Sequence, residues 1–539
     1  MVENFVVGLD FGTLSARAVL VSALNGETYA ETTYIYPHGV ITGSLPSGHS
    51  IPDNYALADP SDYRAALIFC LQFVSERCRF FNGKIVGIGI DATTYTMVPC
   101  YKSGTSLGES DELKDDPMAY IKLWKHHGAV AQAKRIERLH KSTGGFPAVE
   151  CYGKTVNCEW ALPKLLETYE ESPAVFSKAA RFCDLGEWLA WILTDHPVNS
   201  LYSAGFKGMF TPDAGFPSEA VLNELSPGFG NAFYEKFAGK ISDYLSPCGY
   251  LCEKTAALAG LPAGIPVATP MGDGSMPGVF FCINNPKSLA ITVGTSIAMA
   301  FVSKKFIPMT GINGVVKDGI VPGYFSYDAG QPCAGDMLDW FVSNQVPHEE
   351  YVKAEEAGLC IHEYFSQTAN TAPYNCQLTV LDWFNGNRSI LNDMSLRGTV
   401  IGYSLGTRPS DIYCAMVQGI VCGMRVILEH LEKNGIEFEQ LILCGGIAEK
   451  NDFVCQQYAN ILGKRILVCA QKNITALSSA TLALIASGTA PDKAADTLCR
   501  RDYTVFEPDM EHRDKYNHIY ERYFYYYNLL SKEFKEYNS

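Results

Sequence analysis

Two distant segments of the chain share one pattern: an apolar strand, a Gly-Thr turn and a second apolar strand. The first segment reads LDFGTLSARAVLV and the second reads ITVGTSIAMAFVS. A second correspondence follows in the same order, because GIGIDATT and LILCGGIAEKN each run from an apolar strand into a loop of small residues. One such resemblance means little, but two in the same order predict two similar α/β domains, one in each half. Ligands would then lie in the cleft between the domains, at the carboxyl ends of the strands.

A stretch rich in glycine and proline, GLPAGIPVATPMGDGSMPG, separates the two halves. This composition is typical of a domain boundary, and a chain of 539 residues is too long for a single core. We therefore predict an N-terminal domain over residues 1–268 and a C-terminal domain over residues 269–539. Residues 346–380 have a mixed, loop-like pattern, and the sequence leaves open whether they form a lid.

Local patterns in the first half predict its first strands and helix. Residues 5–9 form an apolar strand, and Ser61 or Asp62 can cap a helix that runs to about Phe80. The segment KIVGIGIDATT is short and rich in β-branched residues, so it is predicted to be a buried strand that ends at Asp91.

Charge and cysteine content narrow the class of protein. The net charge of −15 argues against nucleic acid or an anionic membrane as the main partner. The 18 cysteines form no C-x-x-C pair and many lie in apolar runs, which predicts reduced core thiols and a cytoplasmic location. We recognise no signal peptide and no apolar run of the roughly 18 residues that a membrane span requires, so we expect a soluble protein.

The first Gly-Thr turn holds polar groups between apolar flanks, where such groups need partners. Successive N–H groups at a turn containing Gly12 and Thr13 can form an anion-binding concavity, to which the Ser15 hydroxyl can also contribute. Arg17 adds a permanent positive charge, and Asp10 can hold a hydrated Mg²⁺ ion. Taken alone, the segment is more simply interpreted as a plain hairpin turn.

The second half offers matching chemistry. Gly294 and Thr295 form a second Gly-Thr turn, and two such hairpins facing each other could hold a nucleoside triphosphate. The segment LCGGIAEKNDF places Gly445 and Gly446 after a strand, with Asn451 near the start of a helix. A backbone without side chains there lets a base or a ribose lie against it, although a tight strand–helix turn has the same pattern.

Asp273 lies between two glycines in the boundary segment, in what we expect to be an exposed loop. A carboxylate in this position can accept a proton from a hydroxyl group. Because the transition state of phosphoryl transfer is loose, a carboxylate of ordinary pKa suffices as the base. The alternative is an aspartate that only closes a turn.

Together these segments resemble the FGGY carbohydrate kinases, which belong to the sugar kinase, heat-shock-70 and actin fold superfamily. Within that family, the segments KLWKHHGAVAQA, YGKTVNCEWALPKLLE, AGFKGMF, YDAGQPCAGDMLDWF and LDWFNGNRS are similar to ribulokinases. The resemblance covers about residues 5–530. It implies an α/β fold with two similar domains of the actin, hexokinase and heat-shock-70 ATPase superfamily and a cleft between them.

The resemblance also implies an activity, its cofactors and its site residues. The implied reaction is the ATP-dependent phosphorylation of a ketopentose, in ribulokinases L-ribulose to L-ribulose 5-phosphate, with ATP and Mg²⁺. The implied roles are Asp273 as general base; Asp10 for Mg²⁺; Gly12, Thr13, Ser15, Arg17, Gly294 and Thr295 for the phosphates; Gly445, Gly446 and Asn451 for the adenosine; and Ala92, Trp124, Lys207, Asp273 and Asp328 for the sugar.

The sequence departs from the ribulokinase pattern near the predicted sugar site. Asp273-Gly274-Ser275 replaces the expected Asp-Ala-His, and Asp328 stands where a glutamate is expected. Two alternatives therefore stay open: a kinase for another pentulose or pentitol, such as D-ribulose, xylulose or ribitol, and a non-catalytic nucleotide-binding protein on the same fold.

The carboxyl end predicts an amphipathic helix. Residues 511–537 place aromatic and apolar side chains at spacings of three and four. Such a helix either packs on its own domain or forms a subunit interface, so a homodimer remains an open alternative.

Overall fold

Two seven-stranded sheets organise the fold, which a computed structural model describes over residues 2–371 and 377–538. The strands of the first half are β1 (Glu3–Phe11), β2 (Ser15–Ser22), β3 (Thr28–Ile35), β4 (Leu57–Ala58), β5 (Gly83–Ala92), β6 (Met97–Cys100), β7 (Ile121–Lys122), β8 (Arg181–Asp184), β9 (Asn199–Ser200), β10 (Ile241–Ser242), β11 (Pro247–Tyr250), β12 (Pro266–Ala268) and β13 (Met271–Gly272). The first sheet has the order β11-β12-β5-β1-β2-β3, and β13 joins it beside β5. A separate four-stranded sheet has the order β4-β7-β6-β8.

The second half repeats this plan. Its strands are β14 (Ser288–Val293), β15 (Ile297–Ser303), β16 (Gly314–Lys317), β17 (Phe325–Gln331), β18 (Thr379–Leu381), β19 (Thr399–Ile401), β20 (Gln440–Cys444), β21 (Ile466–Cys469) and β22 (Tyr503–Phe506). The second large sheet has the order β16-β17-β15-β14-β20-β21-β22. In each sheet a first strand pairs antiparallel with the next strand along the chain and parallel with a later one: β1 with β2 and β5, and β14 with β15 and β20. The predicted repeat of one α/β plan is therefore confirmed.

Helices cover both sheets. Those of the first half are α1 (Pro60–Phe80), α2 (Val130–Thr143), α3 (Ala148–Cys151), α4 (Ala161–Glu171), α5 (Pro173–Lys178), α6 (Leu185–Thr194), α7 (Leu201–Phe206), α8 (Glu219–Leu225), α9 (Phe229–Lys236) and α10 (Glu253–Ala259). Those of the second half are α11 (Met276–Cys282), α12 (Gly335–Gln345), α13 (His348–Glu356), α14 (Ile361–Thr371), α15 (Pro409–Lys433), α16 (Gly446–Lys450), α17 (Asp452–Leu462), α18 (Ile474–Ala486), α19 (Pro491–Leu498) and α20 (Arg513–Asn538).

Helix α18 belongs to the second half of the sequence but packs directly on β1 and β5 of the first sheet. This approach requires residues without side chains, because a Cβ atom at Gly8 or Gly89 would overlap the main-chain carbonyl oxygens of Ala476 or Ser479. Helices α11 and α18 contribute to one apolar cluster with residues of both large sheets. The two halves therefore share a core next to the cleft.

The division of the chain at residues 268 and 269 stays a prediction. Strand β13 lies beyond this point but still pairs with β5, opposite Asp91 and Ala92. The chain therefore leaves the first sheet after Gly272, a few residues later than the predicted boundary.

Two local predictions need correction. Helix α1 is capped by Asp59, whose side chain accepts a hydrogen bond from the N–H of Ser61, because Pro60 already occupies the first helical position. Residues 346–380 are not a loop where the structure describes them, since they include α13, α14 and β18. The prediction for residues 372–376 lies outside the described residues.

Helix α15 is long and apolar enough to cross a membrane by length and composition, so the expectation that no stretch reaches this length is wrong by that criterion. In the structure, 78% of its most apolar window is buried inside the protein. The helix packs against α12, α14, α17 and α20. Its apolar composition therefore matches its place in the core of the second half.

Helix α20 packs on its own half. Its tyrosines Tyr516, Tyr520, Tyr523 and Tyr527 are buried in the core cluster of the second sheet. This is the first of the two alternatives that the spacing left open.

The cysteines of the described residues are free thiols, and most of them are buried. Burial raises the pKa of Cys282 and of Cys444 to about 12, so these side chains are protonated at neutral pH. They contribute to the core as small apolar residues.

Candidate active site

The two Gly-Thr hairpins have related local structures that differ by one residue in span. In the first, the N–H of Gly12 donates to the carbonyl oxygen of Ser15 at 3.0 Å. In the second, the N–H of Gly294 donates to the carbonyl oxygen of Ser296, also at 3.0 Å. Both turns lie at the end of the first strand of a large sheet. The repeat seen in the sequence is therefore a hairpin at the same place in each sheet, with a first turn that is one residue longer than the second.

Asp10 and Arg17 face each other across the first hairpin. They are directly paired in the β1–β2 register, and Arg17 donates from Nη1 to Asp10 Oδ2 at 3.2 Å. The Asp10 side chain is buried, whereas the Arg17 side chain is 46% exposed. Burial raises the pKa of Glu449 on α16, and the charges of Lys450, Lys472 and Arg17 partly oppose this rise. The first hairpin therefore lies near the nucleotide-binding segment predicted in the second half.

The second hairpin is fixed to the start of α12. The N–H groups of Ala334 and Gly335 donate to the carbonyl oxygens of Thr295 and Gly294, at 2.8 and 3.0 Å. A Cβ atom on Gly335 would lie 2.7 Å from the Gly294 oxygen, so only glycine permits this approach. The turn is thereby held rigidly beside α16, whose Ile447 side chain approaches Gly335.

The two glycines of the second-half segment have different surroundings, and only Gly446 opens onto free space. Gly445 has a φ of 95°, in the region that favours glycine, and a Cβ atom on Gly446 would meet no atom within 4 Å. Asn451 has other partners: it accepts from the N–H of Val454 at the start of α17 and donates to Ser366 Oγ at 2.9 Å. The structure thus places Gly446 at an open surface, packs Gly445 against the main chain of Val293 and gives Asn451 a capping role.

Three carboxylates meet at the carboxyl end of the first sheet. Asp10 and Asp91 are paired in the parallel register of β1 and β5, and β13, paired beside Asp91, leads directly into Asp273. Burial and then the charge of Asp10 raise the pKa of Asp273 to about 6, against the opposing effects of the Gly274 N–H and Lys207. Asp273 starts a short 3₁₀ turn and is half-buried, so the expectations of an exposed loop and an ordinary pKa are both wrong.

Asp91 is a residue of this group that the sequence analysis did not select. Its Oδ2 accepts a hydrogen bond of 2.6 Å from Ser479 on α18. Its Oδ1 is buried and has no hydrogen-bond partner among the described residues. Burial and the charge of Asp10 raise its pKa well above the usual range. Its position at the end of a buried strand was the available signal.

The residues after Asp273 explain one departure from the ribulokinase pattern. A Cβ atom on Gly274 would lie 3.2 Å from the Cβ of Ala298, so even alanine would crowd β15. The buried Ser275 hydroxyl accepts a hydrogen bond from Tyr202 at 2.8 Å. Gly274 and Ser275 therefore fit the neighbouring side chains of Ala298 and Tyr202.

The predicted sugar-binding residues surround Asp273. Trp124 donates from Nε1 to the Thr13 hydroxyl at 3.1 Å, which connects the sugar region to the first hairpin. Burial raises the pKa of both Asp273 and Asp328. Lys207, which directly follows α7, partly opposes this rise at both residues. Ala92 is buried at the end of β5. The structure therefore brings these residues together.

A network of buried charges supports the Trp124 loop. Lys164 donates to the carbonyl oxygens of Tyr95 and Leu123 at 2.8 and 2.7 Å. Lys122 forms an ion pair with Glu167 at 2.5 Å. Burial lowers the pKa of Lys164 to about 7, with Glu159 opposing this change. These contacts fix the backbone that immediately precedes Trp124.

A second cluster crosses from one half to the other. Arg388, in the loop after β18, lies 3.4 Å from Glu159 and 5.2 Å from the centre of the Trp124 ring. Glu159 also contacts His127 Nε2 at 3.1 Å. Burial acts to raise the pKa of Glu159, but Arg388 and His127 lower it to about 2. Arg388 belongs to the segment LDWFNGNRS, but no local pattern in the sequence assigns it a role.

The arrangement separates two kinds of surface. One surface holds the turns, Arg17 and the open position at Gly446, which suit a phosphate-bearing nucleotide. The other holds Lys207, Asp328 and Trp124, which suit a molecule with many hydroxyl groups. Asp273 lies where they meet, because β13 leads into it beside Asp91, which pairs with Asp10, and beside Ala92 of the predicted sugar region.

Solved structures share this fold over nearly the whole chain. Gluconate kinase from Lactobacillus acidophilus superposes with a TM-score of 0.80 at 18% identity and covers 99% of this chain and 100% of its own. Xylulose kinase from the same organism gives 0.79 at 19%, with the same coverage. Plasmodium falciparum glycerol kinase with ADP gives 0.73 at 16% and covers 96% and 97%. The chain thus has the two-domain α/β fold of these sugar kinases.

Sequence comparison identifies the family. Residues 289–487 match the C-terminal domain of the FGGY family of carbohydrate kinases. A ribulokinase of Bacillus licheniformis is 33% identical over 528 residues, 96% of each chain. A ribulokinase of Mycolicibacterium smegmatis is 34% identical over 526 residues, 96% of this chain and 93% of its own. The chain belongs to the FGGY family of carbohydrate kinases, and it is a sugar kinase.

Proposed function

We propose that this sugar kinase transfers the terminal phosphoryl group of ATP to the 5-hydroxyl of L-ribulose, giving L-ribulose 5-phosphate and ADP. The observation that carries the proposal is the half-buried Asp273 carboxylate, placed between the hairpin side of the cleft and the residues that suit a sugar. Two relatives of about one-third sequence identity are named ribulokinase, and they support the choice of a ketopentose as the substrate.

In the proposed mechanism, Asp273 accepts the proton of the attacking hydroxyl. Its pKa of about 6 makes it a carboxylate at neutral pH and a stronger base than an ordinary aspartate. Lys207 and Asp328 bind sugar hydroxyl groups as donor and acceptor, and Ala92 and Trp124 provide apolar contact. Closure of the cleft would exclude water, which competes as phosphoryl acceptor.

The hairpin side fits ATP and a magnesium ion. Gly12, Thr13, Ser15, Gly294 and Thr295 would surround the phosphates, with Arg17 supplying positive charge. Among the described residues no group of three His, Cys, Asp or Glu side chains could hold a metal directly. Asp10 would therefore hold Mg²⁺ through water, which this ion readily accepts. When bound, the ion would neutralise charge on the phosphates.

The adenosine would lie against Gly445 and Gly446. Asn451 would contribute by capping α17 and ordering the segment, because both of its side-chain groups already have partners. A homodimer and a cytoplasmic location complete the proposal as expectations from the sequence.

Substitution of Gly446 by valine is expected to raise KM for ATP at least about 10-fold, because the new side chain would fill space that the adenosine needs. The protein should fold normally, since a Cβ atom at Gly446 meets nothing within 4 Å. Steady-state kinetics with each substrate varied would measure this, with Gly406→Val as an exposed control. An unchanged KM for ATP would place the nucleotide elsewhere.

The proposed substrate is tested by ADP release across L-ribulose, D-ribulose, L- and D-xylulose and ribitol, with the phosphorylated carbon identified by NMR. We expect the highest kcat/KM with L-ribulose and phosphate on O5. A higher value with another sugar would reassign the substrate while retaining the kinase. No ADP release above background with any of them would contradict a pentulose or pentitol kinase.

A further inference from the structure

Arg388 is a buried arginine whose hydrogen-bonding capacity is largely unused. Its side chain is 14% exposed, and its Nε and Nη2 atoms form no hydrogen bond with any described residue. The ion pair with Glu159, at 3.4 Å, is too long and poorly directed to satisfy these donors. Since burying unpaired donors is costly, such groups usually have a partner. A ligand in the cleft would supply one.

The loop that carries Arg388 is fixed before any ligand binds. The N–H of Gly330 donates to Ser389 Oγ at 2.8 Å, and the N–H of Ile390 donates to the carbonyl oxygen of Gly311 at 2.7 Å. Ile390 has a φ of 79°, which is strained for a β-branched residue. Strain of this kind is maintained where the surrounding structure needs one conformation, often at binding sites.

Neighbouring charges locate Arg388 along the cleft. Lys207 acts on the pKa of both Asp273 and Asp328. The charge of Asp10 raises the pKa of Asp273, whereas the charge of Arg388 lowers the pKa of Asp328. Ser389, the next residue, accepts a hydrogen bond from the N–H of Gly330, two residues after Asp328. Arg388 therefore lies beside Asp328 in the predicted sugar region, whereas Asp273 follows β13 at the end of the first sheet.

We propose that Arg388 binds the acceptor sugar, donating from Nε and Nη2 to oxygen atoms at the end opposite the hydroxyl that is phosphorylated. This inference rests on the proposed function and deepens it. In a ketopentose that end carries the C1 hydroxyl and the C2 carbonyl oxygen. Two neighbouring oxygens match the paired donors of a guanidinium group. Arg388 thereby favours a ketose, whose carbonyl oxygen only accepts hydrogen bonds.

Arg388 also connects sugar binding to cleft closure. It comes from the second half, while Glu159 and the Trp124 ring that it contacts belong to the first. A second contact between the halves lies close by, where Asn392 donates to the Thr155 hydroxyl. A sugar bound by Arg388 would touch both halves and stabilise their closed arrangement.

The test compares wild type with Arg388→Lys and with Arg397→Lys, an exposed arginine whose Nη1 bonds only the carbonyl oxygens of Met394 and Leu396. Loss of the paired donors in Arg388→Lys is expected to raise KM for the ketopentose about 10-fold or more. KM for ATP should stay within about 2-fold, and kcat/KM should fall less for ribitol than for the ketopentose. Arg397→Lys should behave as wild type.

Chemical rescue separates a binding role from a structural one. In Arg388→Ala, millimolar guanidinium ion is expected to restore part of kcat/KM for the ketopentose, and the same concentration of sodium ion should not. An unchanged sugar KM in Arg388→Lys, or an equal rise in KM for ATP, would overturn the inference and leave the kinase assignment intact. Absence of turnover in the wild type with every sugar would overturn both.

Discussion

Substitution of Asp273 by asparagine is expected to lower kcat by about 10³-fold, within the range that general bases contribute. The amide keeps the shape of the carboxylate but cannot accept the proton of the sugar hydroxyl. Its side-chain oxygen can still accept the 2.7 Å hydrogen bond from the Gly274 N–H, so the short turn should be retained. ADP release at saturating substrates would measure the loss, and calorimetry should show nearly unchanged ATP binding. The exposed Asp213→Asn variant is the matched control.

The pH dependence gives an independent readout of the same residue. Because the base must be deprotonated and the pKa of Asp273 is about 6, wild-type kcat/KM should fall below pH 6 as the carboxylate takes up a proton. The fall approaches about tenfold per pH unit well below the pKa. Above pH 7 the carboxylate is almost fully ionised and the profile should level off. Sugar phosphorylation retained in Asp273→Asn at the wild-type rate would remove Asp273 from this role.

Substitution of Gly8 by alanine is expected to lower the free energy of unfolding by about 3 kcal/mol or more, at the upper end of overpacking effects. The added methyl group would overlap the carbonyl oxygen of Ala476, which is main chain of α18 and cannot rotate away. The helix must shift from the first sheet, and the apolar cluster that it shares with both sheets would loosen. The midpoints of thermal and urea unfolding would measure the effect.

Gly406→Ala provides the control for this prediction, because a Cβ atom there meets only the Ser404 hydroxyl oxygen at 3.9 Å. It should leave both midpoints unchanged. Gly89→Ala should resemble Gly8→Ala, since its methyl group would overlap the carbonyl oxygen of Ser479. Wild-type midpoints in both variants would show that α18 does not pack this closely on the sheet.

The repeated plan of the two sheets was predictable because local sequence patterns determine it. Each Gly-Thr turn is flanked by apolar strands, and apolar periodicity with a turn signal determines a hairpin without distant contacts. The hairpin register explains why Asp10 and Arg17 could be assigned to one site, since it pairs them directly. The resemblance to the FGGY kinases then supplied the order of the remaining segments.

The pKa values, hydrogen-bond partners and distances of the candidate residues were not predictable in the same way. The pKa of Asp273 depends on burial and on Asp10, which is brought close by strand pairing across nearly half the chain. Asn451 looked available from its position after a glycine pair, but its partners include Ser366, on another helix. Arg388 had no local signal, since its importance comes from its distance to Trp124 and Glu159.

The sequence by itself determined that two similar α/β units each present a Gly-Thr hairpin and that an aspartate lies near their boundary. These features depend on residues close together in the chain, whose patterning and turn chemistry act locally. Only the tertiary structure decided which carboxylates lie together, which carboxylate has a pKa high enough for a general base, and which arginine contacts residues of the other half. Burial and Coulomb interactions depend on spatial distance, and the fold alone sets that distance for residues far apart in the chain.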